Sequence, residues 1–318
     1  MIVRWGLEEL PGLLGELDVE RPLLVASRRW DGLGLGLEAA ARWDEIPSHR
    51  IEVPPGVDGV LAVGGGSAID TAKAVSAAER MLLVSVPTTY SGAEWTPFFG
   101  IRDPDRRMRG GAGGAQLAGI VYEPRLTLDL PREQSAGTAL NALAHAAEAL
   151  YHPARTSESD LLAVEGAELI GEALPAVLAD GSDLDARTRL LEGAARAGEA
   201  LARSGLCLGH AMAQALGGRY GLAHGAMNAL CLPPALRFNQ AVAGDEIEQL
   251  GQALAVTDPI ARVEELARLG GFERLRDFGV PEEELDEVAE ATAARPGAQA
   301  NPRPASPREI AELLRSIY

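Results

Sequence analysis

A run of three glycines between a predicted strand and a predicted helix constrains this chain more than any other feature. The stretch GVLAVGGGSAIDTAKA, at Gly59–Ala74, passes from an apolar segment through Gly64, Gly65 and Gly66 into a helical pattern. Glycines let an anion approach the backbone, and the amides at a helix N-terminus favour negative charge. Neither G-x-G-x-x-G nor the G-K-[ST] ending of a P-loop is present. The stretch therefore predicts a generic phosphate-binding strand–loop–helix unit.

Three polar residues of this helix have alternative roles. Ser67 is a candidate N-cap, and Asp70 would then stand at the third helical position, where a carboxylate suits the dipole. That structural role leaves room for Asp70 to contact a cofactor as well. Lys73 is the only lysine in a chain that otherwise uses arginine for positive charge. A compact ammonium cannot be replaced by an arginine fork in a tight site, so Lys73 is either a functional residue or a chance survivor on a solvated face.

The first 130 residues alternate short apolar segments with helical stretches. We predict strands at 21–27, 49–53, 59–63 and 81–89, with further candidates at 98–102 and 118–122, and helices at 33–43 and 68–79. Alternating strands and helices indicate a parallel, doubly wound sheet. The sequence thus predicts an α/β domain at residues 1–130.

After Pro131 nearly every apolar residue follows helical spacing, in segments such as EQSAGTALNALAHAAEALY and ARTRLLEGAARAGEALA. This periodicity predicts an all-helical second domain at residues 131–318. One of its helices is predicted to break at Gly217 and Gly218, and the next to open at His224.

The net charge of −17 excludes binding to nucleic acid or to an anionic membrane through the overall field. An anionic ligand would need a local basic cluster. The stretch IRDPDRRMRGG is one candidate, with a solvated hairpin as the alternative; its arginines are Arg102, Arg106, Arg107 and Arg109. Two cysteines give no disulfide framework, no signal peptide is recognised, and no apolar run is long enough for a membrane span, so a cytoplasmic protein is expected.

Four histidines stand in the predicted helical half; His152 is interpreted as a surface residue, and the other three are candidate site residues. Asn141 and His145 are four residues apart, as are His210 and Gln214, so each pair shares a helix face. Neutral imidazoles from His145, His210 and His224 could converge on zinc or ferrous iron. The alternative is that each is a satisfied core residue, and the spacing alone leaves both interpretations open.

Six ordered motifs give the chain a resemblance to a known family. They are GGGSAIDTAKA, PTTYSGAEWTP, NALAHAAEALY, GHAMAQALGG, AHGAMNALCLPPALRFN and NPRP. The chain resembles the iron-containing alcohol dehydrogenase superfamily, whose fold is like that of dehydroquinate synthase, and looks most like its maleylacetate reductase branch. This resemblance implies a nucleotide-binding α/β domain, a helical domain, an active site in the cleft and a homodimer.

The resemblance also implies where NADH or NADPH binds. Gly64, Gly65, Gly66 and Ser67 would hold the pyrophosphate, and Thr88 and Thr89 would contact the cofactor. Family members usually carry an acidic residue after the first strand that binds the ribose hydroxyls. This chain has Ser27, Arg28 and Arg29 there, and because arginines attract a 2′-phosphate, we predict that NADPH is accepted. A loop and a helix that usually precede VDGVLAV are missing, which could weaken cofactor binding.

The resemblance leaves the metal open. Family alcohol dehydrogenases bind metal through one Asp and three His, which His145, His210 and His224 would match. The Asp place holds Asn141, a poorer ligand for Zn or Fe. The maleylacetate reductases, which resemble this chain in that asparagine, are described as working without a metal. Gln214 stands where both branches commonly have a histidine near the nicotinamide.

Three functions follow as hypotheses. The first is hydride transfer to an unsaturated keto-acid, a small anionic substrate, with His145, His210 and His224 stabilising an enolate or moving a proton, and with Lys73 or the arginine stretch binding carboxylates. The second is a metal-dependent alcohol dehydrogenase acting on a small alcohol or aldehyde. The third is a degenerate homologue that binds a nucleotide without redox turnover.

Overall fold

The structure is a computed structural model that describes residues 1–48, 51–102 and 108–318. The chain divides into two compact units, Met1–Leu128 and Asp129–Tyr318. Arg106 and Arg107 lie outside the described residues, as do the side chains of Arg102 and Arg109. The predicted role of the arginine stretch therefore stays a prediction.

The first unit is built on a sheet of six parallel strands. The strands in chain order are β1 (Ile2–Trp5), β2 (Pro22–Ala26), β3 (Ala41–Trp43), β4 (Gly59–Gly64), β5 (Leu82–Pro87), β6 (Phe99–Arg102), β7 (Met108–Ala112) and β8 (Gln116–Tyr122). The order across the sheet is β1-β8-β5-β4-β2-β3, with every neighbouring pair parallel. A separate antiparallel hairpin consists of β6 and β7.

Both faces of this sheet are covered, because successive residues of its central strands point to opposite sides. On one face, Leu24 belongs to the same buried cluster as Leu13 of helix α1 (Leu10–Glu16). On the other face, Leu23 belongs to a cluster with Ile69 of helix α2 (Gly66–Glu79). The prediction of a parallel, doubly wound α/β unit is confirmed.

Two predicted elements near β3 are wrong. The predicted helix at 33–43 is not formed; residues 41–43 instead form β3, which pairs with β2. Glycines at 32, 34 and 36 explain this, since each costs about 1 kcal/mol relative to alanine in a helix. The predicted strand at 49–53 begins outside the described residues, and Ile51–Val53 lie in no strand.

In the second unit all described regular structure is helical, as the periodicity predicts. The helices are α3 (Arg132–Tyr151), α4 (Ser157–Ala179), α5 (Leu184–Arg203), α6 (Leu208–Tyr220), α7 (His224–Asn239), α8 (Gly244–Ala253), α9 (Pro259–Leu269), α10 (Leu285–Ala293), α11 (Pro296–Ala300) and α12 (Pro307–Ser316). Among the described residues, no helix combines the length and the apolar character that crossing a bilayer requires.

The predicted break at Gly217 and Gly218 is wrong, because α6 continues through both to Tyr220. It ends where Gly221 adopts a left-handed conformation, with φ of 71°. Gly221 ends the helix because glycine adopts this left-handed conformation readily. A glycine inside a helix, such as Gly217, is tolerated at modest cost.

Candidate active site

The glycine loop lies at the point where the sheet topology changes direction. Strands β2 and β4 are neighbours, but the chain adds β3 beyond β2 and adds β5 on the opposite side of β4. Ligands of open α/β sheets bind at the carboxyl ends of strands where the order diverges in this way. Gly64 ends β4 and Ser27 follows β2, so the two predicted cofactor segments meet the same edge of the sheet.

The glycine loop packs closely against Thr89, and within the described residues no side chain caps the N-terminus of α2. A Cβ on Gly65 would lie 2.7 Å from the Cγ2 of Thr89, so only glycine fits there without a shift. Thr88 donates its backbone N–H to the carbonyl of Gly64 at 3.1 Å, which joins the loops after β4 and β5. The hydroxyl oxygen of Thr89 is buried and has no hydrogen-bond partner in the described part of the chain. An open helix end, a close backbone approach and an unpartnered hydroxyl fit a phosphate.

The predicted capping arrangement of α2 is wrong. The N-cap is Gly65, no side chain caps the helix, and Ser67 is already its second residue. The backbone N–H groups of Ala68 and Ile69 donate to the carbonyl of Gly65, which starts the helix two residues earlier than the Ser67 cap would allow. The first-turn amides are therefore left without a side-chain acceptor.

Lys73 and Asp70 connect α2 to the start of the β6–β7 hairpin. Lys73 is 1% exposed and donates to the carbonyl of Phe98 at 2.8 Å. Its Nζ also lies 3.4 Å from the Oδ1 of Asp70, whose Oδ2 accepts the N–H of Gly100 at 3.1 Å. Burial lowers the pKa of Lys73, and Asp70 opposes that shift. These contacts attach the β6–β7 hairpin to α2; a catalytic role for Lys73 and a cofactor contact for Asp70 stay predictions.

Arg28 is paired with an acid that the sequence did not single out. Its Nε donates to the Oδ2 of Asp44 at 2.7 Å, and this hydrogen bond lowers the pKa of Asp44. Asp44 directly follows β3, which was not predicted as a strand, so its position beside Arg28 could not be foreseen. Arg29 lies over the ring of Trp30, with 5.0 Å between Cζ and the ring centroid.

The second unit brings His145, His210 and His224 together. The rings of His145 and His210 are nearly parallel, with centroids 4.8 Å apart, and those of His210 and His224 are 5.9 Å apart. His145 lies on α3, His210 on the first turn of α6, and His224 is the first residue of α7. Burial lowers the pKa of His145 well below its usual value, and the two neighbouring imidazoles lower it further. His145 is therefore neutral at physiological pH.

A glycine pair sets the close approach of α3 and α7. A Cβ on Gly225 would lie 2.3 Å from the carbonyl oxygen of Gly137, closer than real side chains approach. Gly137 precedes Asn141 by one helical turn, and Gly225 is followed by Asn228. The close approach of the two helices lets the Nδ2 of Asn228 donate a hydrogen bond to the Oδ1 of Asn141, at 2.6 Å.

Two asparagine side-chain amides donate hydrogen bonds to imidazole nitrogens of this cluster. The Nδ2 of Asn141 lies 3.3 Å from the Nε2 of His145, and the Nδ2 of Asn228 lies 3.0 Å from the Nε2 of His224. Because an amide nitrogen only donates, both imidazole nitrogens act as acceptors and both rings carry their proton on Nδ1. Asn228 was not predicted; its place one turn after His224 was the available signal.

These contacts do not fit a metal ion. A ligating imidazole must offer its lone pair to the cation, whereas the Nε2 atoms of His145 and His224 face amide hydrogens. Asn141 brings no negative charge, and its carbonyl oxygen accepts from Asn228. Within the described ranges, no group of three or more His, Cys, Asp or Glu side chains could hold a metal ion.

Glu148 positions His210 and is a third residue that the sequence did not single out, after Asp44 and Asn228. It is fully buried on α3, three residues after His145 and seven after Asn141. Its Oε2 accepts the backbone N–H of Cys207 at 2.6 Å and the Nδ1–H of His210 at 2.8 Å, and its Oε1 accepts the backbone N–H of His210 at 3.1 Å. This carboxylate therefore caps α6 and fixes the imidazole that α6 carries.

Three buried polar atoms of the cluster have no hydrogen-bond partner among the residues that the structure describes. They are Nδ1 of His145, Nε2 of His210 and Oδ1 of Asn228. Buried polar atoms are nearly always hydrogen-bonded, and an unsatisfied one costs about 1–3 kcal/mol. The Nδ1 of His145 and the Nε2 of His210 can therefore meet a polar ligand.

The sequence profiles of known families match most of the chain. The Fe-containing alcohol dehydrogenase family, C-terminal, matches residues 135–318, and the iron-containing alcohol dehydrogenase profile matches residues 53–117. The chain therefore belongs to the iron-containing alcohol dehydrogenase family and is an oxidoreductase.

Among the individual proteins that this chain resembles are several maleylacetate reductases. The maleylacetate reductase of Pseudomonas knackmussii is 33% identical over 98% of this chain and 93% of its own. Maleylacetate reductase 2 of Cupriavidus pinatubonensis is 37% identical over 82% of this chain and 73% of its own. The crystal structure of maleylacetate reductase from Rhizobium sp. strain MTP-10005 superposes with a TM-score of 0.87 at 28% identity, covering 100% of this chain and 95% of that one.

Proposed function

We propose that the protein is a maleylacetate reductase-like enzyme that uses NADH or NADPH to reduce an unsaturated keto-acid. One observation carries this proposal. The side-chain amides of Asn141 and Asn228 donate hydrogen bonds to the Nε2 atoms of His145 and His224. A site arranged in this way favours a reaction in which hydrogen-bond donors, and no cation, stabilise the developing charge. The identity of 33% with a maleylacetate reductase over nearly the whole chain supports the same choice.

Gly64, Gly65, Gly66 and Ser67 would hold the coenzyme diphosphate, with Thr89 contributing its unpartnered hydroxyl. The reduced nicotinamide supplies a hydride when it is bound. We propose that Lys73 and Asp70 attach the hairpin to α2 and take part in no chemical step, because Lys73 is buried and the two side chains bond to Phe98 and Gly100.

The histidine cluster would handle the substrate's charge and proton. Hydride addition to the carbon β to the ketone moves the π electrons onto the ketone oxygen, which becomes an enolate. His145 donates its Nδ1–H to this oxygen, since its Nε2 accepts from Asn141. The carbonyl then re-forms as the α carbon takes the Nε2–H proton of His210 in its doubly protonated form, which leaves the neutral ring with its Nδ1–H on Glu148, and a proton from solvent restores the Nε2–H. Glu148 holds His210 in the orientation that leaves Nε2 for this transfer.

Turnover with maleylacetate tests the proposal directly. Purified protein should oxidise NADH or NADPH when maleylacetate is added, at a rate that neither a chelator nor added Zn²⁺ or Fe²⁺ changes. His210→Gln should lower kcat by about 10²-fold or more, because proton transfer contributes at least that much. His152→Gln is the matched control, since His152 ends α3 outside the cluster. Activity lost on chelation and restored by one ion per chain would contradict the proposal and favour a metal-dependent alcohol dehydrogenase.

We also propose a cytoplasmic homodimer. Both cysteines, Cys207 and Cys231, are free thiols and buried, which suits a reducing compartment. Sedimentation of the purified protein would test the dimer: a single species at the monomer mass, 33.4 kDa, across micromolar concentrations contradicts it.

A further inference from the structure

Arg295 is a cation without an acidic partner beside α6. No carboxylate in the described part of the chain forms an ion pair with it, and its buried Nε has no hydrogen-bond acceptor. The adjacent Arg219, in contrast, pairs with both Glu284 and Glu287 at 2.6 Å. A half-buried guanidinium that lacks a counter-charge carries a desolvation cost, and burial lowers the pKa of Arg295.

The guanidinium is held with one N–H unsatisfied. Its Nη1 donates to the Oε1 of Gln214 at 3.4 Å, and its Nη2 faces Gly218, 3.6 Å from where a Cβ would stand. The Nε is shielded from solvent and meets no acceptor among the described residues. Nε and Nη2 carry two parallel N–H groups that match the two oxygens of a carboxylate, so an acceptor that enters this edge would satisfy the buried donor.

This unsatisfied edge faces α6, the helix that carries His210. Gln214 and Gly218 follow His210 by four and eight residues, so the three positions form one stripe along α6. Neighbours four residues apart have Cβ atoms about 6 Å from each other. A ligand whose reacting carbon meets the Nε2 of His210 therefore extends naturally along the stripe toward Arg295.

Charge makes such a group necessary for a dianionic substrate. The chain carries a net charge of −17, so its overall field repels a dicarboxylate. In the first unit, Lys73 donates to the carbonyl of Phe98 and Arg28 is paired with Asp44. Arg295, unlike these two cations, combines partial burial, no acidic partner among the described residues and contact with the helix that carries His210.

We propose that Arg295, held by Gln214, is a carboxylate-binding residue that selects dicarboxylate substrates for the site at His210. This inference rests on the proposed function for the identity of the reaction, and it adds the residue that recognises one end of the keto-diacid. The Nε and Nη2 groups of Arg295 bind the two carboxylate oxygens, and the amide nitrogen of Gln214 is available as a third donor.

Steady-state kinetics and a binding measurement test it together. In Arg295→Gln, KM for maleylacetate should rise at least about tenfold while kcat changes less than about threefold, the pattern of lost ground-state binding. Maleate, an unreactive dicarboxylate, should lose affinity by a similar factor in isothermal titration of the full chain. Arg295→Lys, which keeps the charge but loses the fork, should be intermediate. Arg268→Gln is the charge-matched control, because Arg268 is exposed on α9.

The outcomes separate this inference from the proposed function. If the wild type turns over maleylacetate but Arg295→Gln changes neither KM nor the maleate affinity more than Arg268→Gln does, the carboxylate site is refuted and the reaction stands. If the wild type shows no turnover but binds maleate in a way that Arg295→Gln weakens, the reaction is refuted and the site stands. Absence of turnover together with no arginine-dependent maleate binding refutes both. Should Arg295→Gln fail to fold, Arg295→Lys decides on the same criteria.

Discussion

The carboxylate of Glu148 holds His210 at two points, accepting its ring Nδ1–H at 2.8 Å and its backbone N–H at 3.1 Å. The first contact sets the orientation of the imidazole, and the second anchors the first turn of the helix that carries it. One buried side chain on α3 therefore determines both where His210 lies and which of its nitrogens is left for a ligand.

Glu148→Gln should lower kcat by about 10²-fold with KM for the keto-acid nearly unchanged, because Glu148 touches His210 and not the substrate. The amide also places hydrogens where the carboxylate accepts from N–H groups, so the melting temperature should fall. A double variant, Glu148→Gln with His210→Gln, distinguishes positioning from mere stability: its kcat should equal that of His210→Gln alone. Additive losses would contradict the arrangement. Glu133→Gln, exposed on the same helix, is the control.

The pairing of Arg28 with Asp44 predicts how coenzyme preference can be changed. Asp44→Asn removes the acid 2.7 Å from Arg28, and the released guanidinium should attract the 2′-phosphate of NADPH. The NADPH/NADH ratio of kcat/KM should rise on the order of fivefold. Asp18→Asn, an equal change in charge at a position away from this pair, should leave the ratio alone. A ratio that stays constant in Asp44→Asn and in the Arg28→Gln/Arg29→Gln double variant would refute a role for these arginines.

The tight loop at Gly65 can be tested by a substitution and its repair. Gly65→Ala places a Cβ 2.7 Å from the Cγ2 of Thr89, on the surface where the diphosphate is proposed to bind. Coenzyme Kd, measured by nicotinamide fluorescence, should rise at least about tenfold. Adding Thr89→Ser removes the colliding methyl group and should recover part of the affinity. Gly12→Ala in α1, where an added Cβ would have no neighbouring atom within 4 Å, should change nothing. Unaltered affinity in Gly65→Ala would move the coenzyme elsewhere.

Periodicity and motif order predict most of the fold, and the elements that they predict wrongly have local physical causes. The buried strand β4 and the long helix α3 were predictable because apolar residues recur with a strand or helix period over their whole length. β3 was not, since its three residues are stabilised by pairing with β2 and carry little pattern of their own. Asp44 was missed together with that strand, because its role depends on a neighbour that only the sheet brings close.

The residues of the candidate site also fall into two groups, those that the sequence could identify and those that it could not. Residues that chemistry singles out in a sequence, such as His145 and His210, were identified in advance. Glu148 and Asn228 were not, because acids and amides are common and their roles arise only where α3, α6 and α7 pack together. The end of α6 was misjudged because glycine signals a break only where the backbone turns left-handed, which happens at Gly221.

Lys73→Met should destabilise the first unit without slowing the reaction. It leaves the carbonyl of Phe98 and the Oδ1 of Asp70 without their ammonium donor, at a cost of about 1–3 kcal/mol. All four tryptophans lie in this unit, so the urea midpoint followed by tryptophan fluorescence reports its unfolding selectively. The kcat of the folded enzyme should stay within about threefold of wild type. A loss of kcat beyond about 10²-fold at an unchanged midpoint would instead make Lys73 catalytic. Arg268→Met controls for lost charge.

Glu94 predicts a pH-dependent effect on the same unit. It is 2% exposed, its Oε1 accepts from the hydroxyl of Tyr122 at 2.8 Å, and its Oε2 has no partner within the described ranges. Burial raises the pKa of Glu94 above its ordinary value of 4.5. Below that value the carboxyl is protonated in both the folded and the unfolded chain. As the pH rises, the unfolded chain ionises first, so stability falls by about 1.4 kcal/mol per pH unit until the pKa of the folded state is passed.

Glu94→Gln cannot ionise and should escape this loss. Its urea midpoint, followed by tryptophan fluorescence, should exceed that of the wild type by more at a pH of about 7.5 than at about 5, since all other groups titrate equally in both proteins and cancel in the difference. Glu79→Gln, exposed at the end of α2, should show a difference that does not depend on pH. A Glu94→Gln difference that is equal at both pH values, or larger at the lower one, would mean that the carboxyl is ionised at no cost in the folded protein, with its charge compensated by Lys73.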